Sequence, residues 1–227
     1  MPGQGNAPRS VCYCMSRALY HKAAPSINSL LAHTRIDRMY LVIEDNEFPM
    51  RLPDFAQLIN VDGQGYFTPG GPNWNQRWTH MVLMRAALSQ ILPNEDVVLS
   101  LDCDTIIRGD IGPLWDIDMT DWYLAGVKEP LKTAQYKRTY INFGVALMNL
   151  KRLRETRKDF EIIQALNQRH YEFPEQDCVS ELCEGGILTI PGMYNATPYT
   201  EPTDRVLIRH YAANPGWYSE DEVRRWI

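Results

Sequence analysis

The chain has 227 residues, a formal net charge of −5 at pH 7 and five cysteines. At this length one large domain is expected, big enough to bury a core without disulfide or metal staples. The mildly acidic balance argues against a nucleic-acid partner, whose phosphates attract basic surfaces, and no apolar run approaches the ~20 residues that span a bilayer. Cys12, Cys14, Cys103, Cys178 and Cys183 make an odd count with no paired Cys-x-x-Cys spacing, which argues against zinc and for free thiols in a reducing compartment. A soluble cytoplasmic protein is therefore expected. Met1 to Ser10 is Pro/Gly/Asn-rich, has no signal-peptide pattern and is expected to be a flexible N-terminus. The triplet Asn195-Ala196-Thr197 matches a glycosylation acceptor, which carries meaning only in a secreted chain.

In chain order, Val11 to Met15 reads as a first strand. Ala24 to His33 reads as a helix, with Ile27, Leu30 and Leu31 at helical spacing. Met39 to Ile43 and Leu58 to Val61 read as strands. Asp62 to Asn75 is a loop rich in Gly, Pro and Asn. Its Tyr66, Phe67 and Trp74 make it either a lid or acceptor wall, or an irregular loop that buries its aromatics. Gln76 to Leu92 predicts one helix, with Trp78, Val82, Met84, Leu88 and Ile91 apolar and Pro93 closing it. Val97 to Leu101, Trp122 to Val127 and Val145 to Met148 are continuous apolar runs, as in parallel strands covered on both faces. Phe160 to Arg169 and Gln176 to Leu182 read as helices, and Ile187 to Ile190 and Val206 to Ile208 as late strands. Glu220, Asp221 and Glu222 look like the start of a C-terminal helix. The alternation of strand and helix predicts an α/β class with a mostly parallel sheet, whose ligands bind beyond the carboxyl ends of the strands.

The most informative string is Val97-Val98-Leu99-Ser100-Leu101-Asp102-Cys103-Asp104-Thr105. Side chains alternate in a strand, so Asp102 and Asp104 are expected to point one way and Cys103 the other. Two carboxylates on one side repel unless a cation lies between them. An exposed turn with capping aspartates is the plainer reading.

The stretch from Leu83 to Glu129 resembles the retaining glycosyltransferases of family 8. The resemblance continues through Tyr140-Ile141-Asn142-Phe143-Gly144-Val145, through Glu175-Gln176-Asp177, and through His210-Tyr211 followed by Asn214-Pro215-Gly216-Trp217. It implies a single GT-A domain over 1–227 with a Rossmann-like, mostly parallel central sheet flanked by helices. It implies transfer of glucose or galactose from a UDP-sugar to a glycan or other hydroxyl acceptor with retention of configuration. Position by position, it implies metal ligation by Asp102, Asp104 and His210, to Mn²⁺ with Mg²⁺ as the alternative. It implies donor contacts from Arg85, Asp102, Cys103, Glu129 and Asn142, and more loosely from Ser16 and Tyr20, with Glu175 and Gln176 beside the reacting carbon.

The sequence departs from the family pattern in two places. Glu175 stands where the family more often has Asp. No Lys lies between His210 and Trp217, so a family phosphate contact is missing, with Arg209 or Lys128 as possible substitutes. Two other readings stay open. The Asp102-Cys103-Asp104 string also resembles haloacid-dehalogenase-like phosphotransferases, in which an apolar strand ends in Asp-x-Asp-x-Thr and which need a downstream Lys and a later pair of strand-end acids. A non-catalytic nucleotide-sugar-binding module would share the fold. Lys151, Arg152, Arg154, Arg157 and Lys158 form a basic segment that faces either solvent or an anionic surface.

Overall fold

The structure, a computed structural model, describes residues 7–74 and 79–227. The strands are β1 (Ser10–Cys14), β2 (Arg38–Ile43), β3 (Ala56–Asn60), β4 (Val97–Leu101), β5 (Thr105–Ile107), β6 (Leu124–Lys128), β7 (Ile141–Asn149), β8 (Ile187–Thr189) and β9 (Ile208–His210). The helices are α1 (Ala24–His33), α2 (Met81–Met84), α3 (Leu88–Ile91), α4 (Pro130–Tyr136), α5 (Leu150–Glu155), α6 (Lys158–Gln168), α7 (Pro174–Leu182) and α8 (Asp221–Arg224). Seven strands form one sheet in the order β3-β2-β1-β4-β7-β6-β8, and β5 and β9 form a separate pair.

Side chains that alternate along the strands feed two cores, one on each face of the sheet. Cys12, Tyr40, Val42, Val98, Ala146 and Met148 face one core, where α2, α3, α6 and α7 pack. Val11, Tyr13, Met39, Leu41, Leu99 and Leu147 face the other, where α1 packs. This two-sided burial is why the strands read as unbroken apolar runs.

One strand runs against that expectation. β7 pairs antiparallel with both β4 and β6, whereas β1, β2, β3 and β4 are mutually parallel, as are β6 and β8. An apolar run records burial on both faces and carries no signal of direction. The reversal has a functional result. The beginning of β7, Asn142 to Gly144, lies at the same sheet edge as the carboxyl ends of β1, β4 and β6.

Other boundaries shift in ways that bear on the site. β1 begins at Ser10, so the last residue of the segment expected to be flexible belongs to the sheet, and residues 1–6 of it lie outside the described residues. The start of the predicted 76–92 helix, including Trp78, lies outside the described residues. The remainder is α2 and α3 separated by a 3-10 turn at Arg85–Ala87. That tighter turn falls where the Arg85 side chain enters the interior. β9 begins where the predicted 206–208 strand ends and extends to His210. No helix among the described residues is long and apolar enough to cross a membrane.

Candidate active site

β4 ends at Leu101, so Asp102 and Asp104 lie in a turn that leads into β5. Strand alternation therefore does not align them; the turn does. The Thr105 hydroxyl donates to the Asp102 carbonyl at 2.8 Å, and the Asp102 N–H donates to the Gly144 carbonyl at 2.8 Å, which anchors the turn to β7. The third group arrives by backbone pairing. β5 and β9 are antiparallel with Thr105 opposite His210, and the Tyr211 N–H donates to the Asp104 carbonyl at 2.9 Å. His210 Nε2 lies 3.2 Å from Asp104 Oδ1 and 3.6 Å from Asp102 Oδ2. One ligand atom from each of the three residues falls within 4.8 Å of the others.

Gly144 makes that approach possible. A β-carbon there would sit 2.1 Å from His210 Cε1 and 2.8 Å from both His210 Nδ1 and Asp102 Oδ2. Contacts that short do not occur between non-bonded atoms, so the imidazole occupies space that only glycine leaves open.

Two carboxylates this close need positive charge nearby. Burial disfavours a charged imidazole at His210, but Asp104 and then Asp102 outweigh it and raise the His210 pKa above its ordinary value. Burial likewise works to raise Asp104, yet His210 and Arg85 together hold it below the usual carboxylate range. Two carboxylate oxygens and an imidazole nitrogen aimed at one point suit a divalent metal cation. A cation there would supply the countercharge that the two carboxylates need.

Arg85 braces the acid pair from inside. Its Nη1 donates to Asp102 Oδ1 at 2.6 Å and to the Phe143 carbonyl at 3.0 Å, and its Nη2 pairs with Glu175 Oε1. Burial raises the Glu175 pKa, and the Arg85 charge works against that rise. Glu175 and Gln176 occupy the first turn of α7, behind Pro174 at its first position.

A polar chain continues from there. Gln176 Oε1 accepts from the Phe143 N–H at 2.9 Å, and its Nε2 lies 3.4 Å from Glu129 Oε1. Asn142 Nδ2 donates to the same Glu129 oxygen at 2.7 Å. Burial raises the Glu129 pKa, partly offset by these two amides. Asn142 Oδ1 accepts from Asn195 Nδ2 at 2.9 Å, and Asn195 Oδ1 meets His210 Nδ1 at 3.0 Å.

A cavity of about 370 Å³ opens over these groups. Ser16, Arg85, Asp102, Cys103, Asp104, Glu129, Asn142, Glu175, Gln176 and His210 all line it, so the structure gathers nearly every residue singled out in the sequence. Tyr20 is the exception. Its hydroxyl accepts from the Glu44 N–H at 2.8 Å, its ring packs 5.3 Å from Phe48, and it does not line the cavity. Cys103 reaches the lining, but its thiol points to the Met15 sulfur at 3.8 Å.

A family model for glycosyl transferase family 8 matches residues 11–215. The chain belongs to glycosyl transferase family 8. Among curated family relatives, a putative glycosyltransferase of Haemophilus influenzae is 29% identical over 137 residues, 55% of this chain and 40% of that protein. Lipopolysaccharide 1,2-glucosyltransferase of Escherichia coli K12 is also 29% identical, over 138 residues, with the same shares of each chain. The matched stretch thus spans less than half the length of either relative. Among solved structures, the galactosyltransferase LgtC, crystallised with donor and acceptor sugar analogues, superposes with a TM-score of 0.72 at 20% identity, covering 96% of this chain and 91% of its own. At that identity the likeness establishes the shared GT-A fold.

The downstream acidic cluster that the phosphotransferase alternative would draw on, Glu220, Asp221 and Glu222, does not line the cavity. Glu222 pairs with Arg108 and accepts from the Tyr211 hydroxyl, away from Asp102 and Asp104. Neither Arg209 nor Lys128 lines the cavity of this family 8 chain. The lysine that does is Lys132 on α4, with its Nζ 4.0 Å from the Phe173 ring centroid. The loop aromatics Tyr66, Phe67 and Trp74 pack on a core cluster and do not line the cavity. Three residues of the basic segment make contacts within the fold. Arg154 donates to the Glu95 carbonyl at 2.8 Å, Arg152 to the Thr120 carbonyl at 3.0 Å, and Lys158 pairs with Glu161.

Sequence reasoning missed Gly144 as a spacing device, Lys132 as a wall of the cavity and Asn195 as a partner of His210. The Tyr140–Val145 string did contain the glycine. Asn195 offered only a sequon.

Proposed function

We propose that this chain is a metal-dependent hexosyltransferase. It moves glucose or galactose from a UDP-sugar to a hydroxyl of a glycan or similar acceptor, with retention of configuration, and acts as one catalytic domain. The observation that carries this reading is the convergence of Asp102, Asp104 and His210 on one point in the cavity. Family membership supports the reaction class. Five free cysteines support a reducing, cytoplasmic setting.

Asp102 Oδ2, Asp104 Oδ1 and His210 Nε2 would hold Mn²⁺, with Mg²⁺ a weaker alternative. When bound, the cation supplies Lewis-acid stabilisation of the departing nucleoside diphosphate, worth several kcal/mol. Arg85 occupies Asp102 Oδ1, which leaves Oδ2 turned toward His210. Asn142 and Gln176 both donate to Glu129 Oε1, so its Oε2 is placed to accept from a donor-sugar hydroxyl. Ser16, just past the end of β1, lines the cavity and would contact the donor. Glu175 is committed to Arg85, which favours attack by the acceptor on the leaving-group face over a Glu175 nucleophile.

The test is release of UDP from UDP-glucose and UDP-galactose with Mn²⁺, compared with the same reaction under chelator and in Asp104→Ala. Both changes should lower turnover by about 10³-fold, the rate equivalent of several kcal/mol. Undiminished release in Asp104→Ala with chelator present would remove the metal from the mechanism. No release from either donor, together with UDP/Mn²⁺-dependent thermal stabilisation, would indicate a binding module.

A further inference from the structure

The polar chain that ends at His210 has a direction, because some of its members have only one possible role. The Gly144 N–H can only donate, and it lies 3.2 Å from the Asn142 side-chain oxygen. That oxygen is therefore Oδ1, and the Asn142 amide nitrogen faces the Glu129 carboxylate at 2.7 Å. Gln176 reinforces the assignment. Its Oε1 takes the Phe143 N–H, so its nitrogen also faces Glu129. Asn142 Oδ1 then accepts from Asn195, which turns the Asn195 amide nitrogen toward Asn142 and its oxygen toward His210. A second acceptor, the Asn142 backbone carbonyl at 3.4 Å, faces the same nitrogen. An amide oxygen only accepts, so His210 Nδ1 must carry a proton to satisfy it. In the neutral ring this leaves the lone pair on Nε2, the nitrogen that faces Asp102 and Asp104.

We propose that Asn195 is a positioning residue for the metal centre: it fixes the His210 tautomer that presents Nε2 to the cation and ties that imidazole through Asn142 to the donor-sugar end of the cavity. Asn195 touches neither substrate nor metal in this account; it is fully buried and does not line the cavity. Its position follows from local structure. A 3-10 turn at Gly192–Tyr194 precedes it, and the Ala196 N–H to Ile208 carbonyl bond at 2.9 Å holds the segment beside β9. Partners of this kind orient metal-bound histidines, and their loss typically costs about 10- to 100-fold in metal affinity.

The inference rests on the metal reading given above, and the experiment separates the two. Mn²⁺ affinity is read from the electron paramagnetic resonance signal of free Mn²⁺ for the wild type, Asn195→Ala and Asn195→Asp, alongside thermal unfolding under chelator. Asn195→Ala should bind Mn²⁺ about 10- to 100-fold more weakly. Asn195→Asp keeps an acceptor for Nδ1–H but turns its other oxygen onto the Asn142 side-chain oxygen, so it should recover part of the lost affinity and fall between the wild type and Asn195→Ala. Equal affinity in the wild type and Asn195→Ala would overturn the positioning role alone. Absence of Mn²⁺ uptake by the wild type, with or without UDP, would overturn the metal reading and this one with it. Should Asn195→Ala fail to fold, the tautomer is read on the wild type loaded with diamagnetic Mg²⁺, from long-range ¹⁵N–¹H correlations of His210. A proton on Nδ1 is the expected result; a proton on Nε2 would overturn the proposal.

Discussion

The site is built from two halves that are constructed differently. The acid half, Asp102 and Asp104, is local. Two residues sit in one turn at the tip of β4, and Arg85, 17 positions upstream of Asp102, braces them. The imidazole half is assembled from Asn142, Asn195 and His210, three segments far apart in the chain, and it depends on the reversed direction of β7 and on a two-strand ladder outside the main sheet. Local halves can be read in a sequence because the spacing is the geometry. Distributed halves exist only once the fold closes, and they should be the more sensitive to small backbone changes.

The largest expected effect breaks the local half. Arg85→Met leaves the buried Glu175 carboxylate without its partner, and removing one member of a buried pair costs about 3–5 kcal/mol. Urea unfolding at pH 7 should show that deficit. Because burial already raises the Glu175 pKa, the carboxylate in the variant takes up a proton more readily, so the deficit should shrink as pH falls toward about 5. A deficit that does not change with pH would mean the lost packing of the arginine stem, not the charge, is what matters.

A smaller global effect with a larger local one should mark the distributed half. Gly144→Ala overpacks the junction between β7 and His210 and should cost about 1–3 kcal/mol of stability. It should lower Mn²⁺ affinity by about 100-fold or more, since the imidazole has to leave its place. Near-normal Mn²⁺ binding in this variant would show that the imidazole half adapts and that the contrast between the halves is overdrawn.

The gentlest probe is pH. His210 has a raised pKa in the folded, metal-free protein, so its contribution to stability is fully present below about 6.5, the unfolded value, and is lost as pH rises through the folded value. Asp104 has a lowered pKa, so its contribution is present above about 3.9 and is lost as pH falls through the folded value. The metal-free site should therefore be most stabilising between those limits. Mn²⁺ requires the neutral ring, so its affinity should instead climb by about tenfold per pH unit until His210 has lost its proton. Titration calorimetry at pH 6, 7 and 8 checks the slope. A flat profile would place His210 outside the ligand set.

The same division explains what could be read from the residues alone. α1 and β4 fall on the boundaries the periodicity predicts, because their apolar spacing is a direct record of what they bury. Asp102, Asp104, Arg85, Asn142, Glu129, Glu175, Gln176 and His210 are singled out by ordered motifs, and the fold brings them to one cavity. The direction of β7 was hidden, since a strand covered on both faces looks the same either way. The break around Arg85 was hidden too, because α2, the 3-10 turn and α3 share one helical apolar pattern. Tyr20 sits in the matching segment yet spends its hydroxyl on the Glu44 backbone, a choice made by the turn after β1 and not by residue type. Asn195 had no motif to announce it, since its value depends on two partners 53 and 15 residues away.

That buried asparagine also constrains how the protein is made. Asn195-Ala196-Thr197 satisfies the acceptor rule of the oligosaccharide-attaching machinery of secretory compartments, which modifies the amide nitrogen. Here that nitrogen is the atom donating to Asn142, in a side chain with no solvent exposure. A host that routes the chain through its secretory pathway would risk adding a sugar tree while the segment is still unfolded. The modified chain would have no room to finish folding around its own centre. Production in a bacterial cytosol avoids that trap, and Thr197→Ala would disarm it elsewhere.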